Sequence, residues 1–73
     1  MKTPPLLCPV WLDAQGAPVA CVEKIKVMNE NLEELRQMAQ DALEDALLMG
    51  CEEQQVRAFL HEIMTQLVNP YHG

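Results

Sequence analysis

Between Ile25 and Met49 the apolar residues Ile25, Met28, Leu32, Leu35, Ala39, Ala42, Ala46 and Met49 recur at strictly alternating steps of three and four. That period lines them along one side of a helix, and such a seam is stable only when another helix covers it. The sequence therefore constrains assembly before it constrains chemistry. Towards the carboxyl end Met38, Leu43, Leu47 and Leu48 join the seam and widen it beyond what a single neighbouring helix covers.

Gly50 is the expected stop of this helix, since glycine readily adopts the left-handed conformation that ends helices. A second helix is predicted to start at Gly50 or Cys51, with Glu52 and Glu53 in its first turn and Val56, Phe59, Leu60, Ile63, Met64 and Leu67 as its apolar stripe. Asn69-Pro70 ends it. A link of only a residue or two makes the pair an antiparallel hairpin or a sharper corner. The start of the first helix is less determined. Continuity of the seam favours Val22, whereas Lys24 and Lys26 near the positive end of the helix dipole, with Asn31 and Glu34 spaced as a capping box, favour Asn31. A strand or bend through residues 21 to 27 is the alternative.

Residues 1 to 21 differ in kind. Four of the five prolines, Pro4, Pro5, Pro9 and Pro18, lie there, and Asp13-Ala14-Gln15-Gly16 reads as a turn between two short apolar runs. The segment is expected to be an extended arm or a small β-hairpin, with Pro9 and Pro18 confining their runs to edge positions. An isolated hairpin is marginal, so the arm needs an anchor, and Trp11 is the natural one. The domain reading is thus an arm over 1–21 and a helical hairpin over 22–73, with helices at about 22–49 and about 52–68. The fold class is mainly all-α.

A chain of 73 residues with one Trp, one Tyr and one Phe buries only a modest core by itself. Two hairpins associating about a two-fold axis into a four-helix bundle would cover the broad stripe. The predicted dimer or partner interface comprises Ile25, Met28, Leu32, Leu35, Met38, Ala39, Ala42, Leu43 and Ala46 on the first helix, and Phe59, Leu60, Ile63 and Leu67 on the second. The alanines would let backbones approach opposite the larger side chains.

The net charge of −6 opposes binding to a phosphate backbone or to an anionic membrane surface, and the five Lys and Arg residues form no cluster. The longest apolar run falls well below the roughly 20 residues needed to span a bilayer. Met1 to Cys8 has the outline of a lipoprotein signal, but its apolar stretch is short and Leu7, not a small residue, precedes Cys8, so no export signal is predicted. Three cysteines without a secretory segment then point to reduced thiols in the cytoplasm.

Few residues suggest chemistry. Cys51, at a helix start, is placed where backbone N–H groups and the helix dipole favour a thiolate, although Glu52 and Glu53 oppose it. Cys8, Cys21, Cys51, His61 and His72 are possible zinc or copper ligands, but they lack the closely spaced pairs of structural metal sites. Cys8-Pro9 resembles the Cys-Pro dipeptide through which some regulators bind haem. His61, beside the stripe, has the place of a half-exposed boundary residue. The Glu-x-x-His pattern of di-iron bundles is missing, because Ala58 and Asn69 stand three residues before the histidines. With no Ser and only Gly16, Gly50 and Gly73, the chain has neither a serine nucleophile nor a glycine-rich phosphate loop. The expectation is a non-catalytic protein-interaction or regulatory module without a cofactor, acting as a homodimer. Its acidic Glu33, Glu34, Asp41 and Glu44 face would suit a basic protein surface. The alternative is a metal, haem or thiol-redox protein that uses the cysteines.

Overall fold

A computed structural model of the chain describes residues 6–71. The expectations that involve Pro4, Pro5 and His72 lie outside that range. Among the described residues the fold is mainly α, a helical hairpin of α1, Val22–Leu48, and α2, Glu53–Thr65, and it contains no strand. The chain divides into two compact units, one ending at Arg36 and the other beginning at Gln37. The division falls inside α1, and each unit is described by itself.

In the first unit, helix α1 is already formed at Val22, and the Ile25 amide donates to the Cys21 carbonyl at 2.9 Å. The stretch for which helix and strand both had support is therefore helical. Asn31 lies in the helix interior rather than at its cap, which means that the Asn31/Glu34 spacing is not used as a capping box. Continuity of the apolar seam outweighs the unfavourable lysines because burying a seam stabilises by more than the few tenths of a kcal/mol to about 1 kcal/mol of a charge–dipole contact.

The arm is organised by its turn. Asp13 Oδ1 accepts from the amides of Gln15, at 2.9 Å, and Ala17, at 3.0 Å, while the Gly16 amide donates to the Asp13 carbonyl at 3.0 Å. Gly16 has φ of +85°, a value that disfavours any residue with a side chain. One isolated antiparallel bridge, Leu12 with Pro18, closes the loop, supported by Asp13 N–H to Ala17 O at 2.8 Å and Val19 N–H to Trp11 O at 2.9 Å. Pro18 has no N–H to extend a ladder, so pairing stops short of two strands.

In the second unit α1 ends in a Schellman motif. Gly50, at φ +90°, donates to the Leu47 carbonyl at 3.1 Å, and the Cys51 amide donates to the Ala46 carbonyl at 2.9 Å. The link to α2, residues 49–52, is longer than the one or two residues expected, because Glu52 stays outside the helix as its cap. The Glu52 carboxylate accepts from the Gln54 amide at 2.8 Å and the Gln55 amide at 3.0 Å. Its longer side chain does what Ser or Asp usually does, and its charge suits the positive helix end. Outer faces are tied by pairs four residues apart: Gln37 to Asp41, Gln40 to Glu44, and an Arg57–Glu53 ion pair at 2.9 Å.

None of the described residues is buried. The half-buried positions follow the seam, with Ile25, Leu32, Ala39, Leu43 and Ala46 on α1 and Val56 and Leu60 on α2. In each unit the remaining apolar surface of the helices is open.

Candidate interaction surface

In the first unit Trp11 is half-buried, and its indole Nε1–H donates to Asn29 Oδ1 at 2.8 Å. This contact fixes the arm on α1. A half-buried indole N–H needs an acceptor, and Asn29, four residues after Ile25 and three before Leu32, is a polar residue on the seam side of the helix. Those two needs answer each other. The residue that receives Trp11 was absent from the predicted set, although a polar position within an apolar stripe was the available signal. Beside the contact Leu6, Cys8, Val22, Ile25, Asn29 and Glu33 help line an open groove of about 620 Å³.

The second unit carries the more apolar feature. Ala42 on α1, Cys51 in the link, and Gln55, Val56, Phe59, Leu60 and Ile63 on α2 line an open dish of about 430 Å³. Phe59 is 66% exposed and Ile63 39%. Ala42 contributes only a methyl group to the α1 side of the dish. Elsewhere in this unit Leu67 and Met38 are each 70% exposed and Leu48 is 86% exposed. Apolar side chains gathered in one recess, as Val56, Phe59, Leu60 and Ile63 are, mark an interaction site more often than singly scattered leucines do.

The predicted interface residues divide by exposure. Ile25, Leu32, Ala39, Leu43, Ala46 and Leu60 are half-buried; Met28, Leu35, Met38, Ala42, Phe59, Ile63 and Leu67 are exposed. The exposed group is the part of the predicted interface left open to solvent.

Cys8, Cys21 and Cys51 are free and exposed, and His61 is exposed. Cys51 precedes the cap residue, and the amides it was expected to use are occupied by the Glu52 carboxylate. Among the described residues no group of three or more His, Cys, Asp or Glu is placed to hold a metal ion. No helix among them is long and apolar enough to cross a membrane. Comparison with protein-family models, with curated proteins and with solved structures finds no match.

Proposed function

We propose that the chain is a non-catalytic protein–protein interaction module that works as a helical homodimer. The observation that carries this reading is the coexistence of a regular apolar seam with a chain in which no described residue is buried. A folded monomer with so little enclosed apolar surface lacks the main term that offsets conformational entropy, and a second copy supplies it. The hairpin of one copy would place its open faces, Phe59 and Ile63 on α2 with Leu67 just beyond its end, and Leu35, Met38 and Ala42 on α1, against those of its partner to make a four-helix bundle. Free, exposed thiols fit a reducing, cytoplasmic setting. Both large grooves are open and lack the enclosure that catalysis uses to exclude water, which supports binding over chemistry.

Sedimentation equilibrium and native mass spectrometry of the untagged protein at micromolar concentration test the reading. A dimer mass without a bound cofactor is expected; a compact, cooperatively unfolding monomer would remove the homodimer, and a stoichiometric metal or haem mass would remove the cofactor-free module.

A further inference from the structure

We infer that the Phe59 dish receives a basic amphipathic helix from another protein, which displaces the second copy of the chain. The inference rests on the reading of the chain as an interaction module and adds the chemistry of its partner.

The dish is largely apolar, and its surroundings are predominantly negative. From Gln37 onward six carboxylates, Asp41, Glu44, Asp45, Glu52, Glu53 and Glu62, accompany one cation among Lys and Arg, Arg57. Four of the six stand next to dish-lining residues, Glu53 among them, three residues before Val56 on α2. Asp45 is three residues from Ala42 on α1, and Glu62 is three residues from Phe59 on α2, so each is a neighbour on the same helix surface. Glu52 caps α2 beside Cys51, and its carboxylate accepts from the amide of Gln55, itself a lining residue. The one cation, Arg57, stands three residues before Leu60 and so neighbours the dish as well, but it is paired with Glu53 at 2.9 Å, which leaves the surroundings negative in balance.

A second copy is a poor match for that rim. A two-fold pairing through the dish brings the same carboxylates from both sides and sets like charges around an apolar contact. A helix with an apolar stripe at three- and four-residue spacing and Lys or Arg along both margins fills the dish and neutralises the rim at once. The apolar surface would then drive either association, and the charge would choose between them. The homodimer becomes the resting form that a basic helix opens.

The test uses the full chain and a synthetic peptide of about 18 residues, roughly five helical turns, with Leu at the stripe positions and Lys elsewhere. Its controls are the same peptide with Glu for Lys and a scrambled Leu/Lys sequence of equal charge. Affinity is measured by fluorescence anisotropy over a range of salt, and the protomer count by native mass spectrometry. The basic helix is expected to bind on the order of tenfold or more tighter than the acidic one, with the margin shrinking as salt rises. Phe59→Ala should weaken it by about tenfold or more. Asp45→Lys/Glu62→Lys should invert the preference, and Asp45→Asn/Glu62→Gln, which keeps side-chain size, should remove most of it. Helix content measured by circular dichroism checks that the variants remain folded.

Equal binding of the scrambled peptide, or a preference unmoved by either double variant, overturns the inference. A homodimer that persists at saturating basic peptide overturns it too, while leaving the proposed dimeric function standing. A monomeric wild type that still takes the basic helix through Phe59 upholds the partner chemistry and removes the homodimer.

Discussion

Replacing Phe59 with Ala separates the two roles an apolar side chain can have, in a monomer's own core or in an interface. An aromatic side chain covers roughly 150–250 Å² when buried, and with Phe59 66% exposed roughly 100–165 Å² of it remains for a partner to cover. At about 25 cal/mol per Å² this is worth at most roughly 2.5–4 kcal/mol per protomer. Partial coverage reduces it to about 1–2 kcal/mol, hence about 2–4 kcal/mol for the two copies in a dimer and a rise in dimer Kd of roughly 30- to 1,000-fold. The covered third contributes only about 1–2 kcal/mol to the hairpin itself. Sedimentation across the micromolar range gives the first quantity. Urea unfolding at several protomer concentrations gives both, since the midpoint of a folded dimer moves with concentration. A variant that loses about 3–5 kcal/mol independently of concentration would show Phe59 to be a core residue and refute the reasoning.

Two further substitutions examine how the elements are held. Gly50→Ala should lower stability by about 1–2 kcal/mol with little loss of helix content, because φ is +90° while the space around an added methyl is open, leaving backbone strain as the whole effect; an unchanged thermal midpoint would contradict the Schellman geometry. Asn29→Ala should cost about 1 kcal/mol, shift the emission of Trp11, the only Trp, to longer wavelength and speed proteolysis near Gln15-Gly16, whereas unaltered emission would mean that the indole does not depend on Asn29.

What could be read in advance follows the range of the interactions. The seam is a local, repetitive signal, and it identified both helices and the stop at Gly50, where a backbone requirement admits few residue types. Helix α2, however, ends at Thr65 with Gln66 as its cap, short of the expected end near 68 at Asn69-Pro70. Features that depend on competition between local signals were harder to read. Asn31 and Glu34 have the spacing of a cap, yet the helix runs through them because the apolar period continues upstream to Ile25. Cys51 looked like the first residue of α2, but the carboxylate of Glu52 reaches the free amides from outside the helix and shifts the start to Glu53. The Trp11–Asn29 contact joins residues 18 positions apart. Its logic is visible only when an unmatched donor in the arm is considered together with a polar interruption of the seam.

The small side chain at Ala42 gives the interaction surface its form, and Ala42→Leu tests whether form matters. Ala42 and Phe59 line the same dish, and Phe59 is largely open to solvent. Leucine adds three carbons on the α1 side. If the dish is a receptor for another helix, the new side chain fills it from within and covers part of Phe59. At about 0.8 kcal/mol per buried CH₂, with incomplete burial, the isolated hairpin should gain about 1–2 kcal/mol. Association should weaken by tenfold or more, because the inserted group occupies the partner's place and overpacks the contact. A flat adhesive face would behave oppositely: added apolar area would strengthen association and leave the hairpin's own stability almost unchanged. Opposite movement of stability and affinity is thus the signature of a shaped site, and a parallel rise in both would mean that exposed area alone, rather than the recess at Ala42, governs binding.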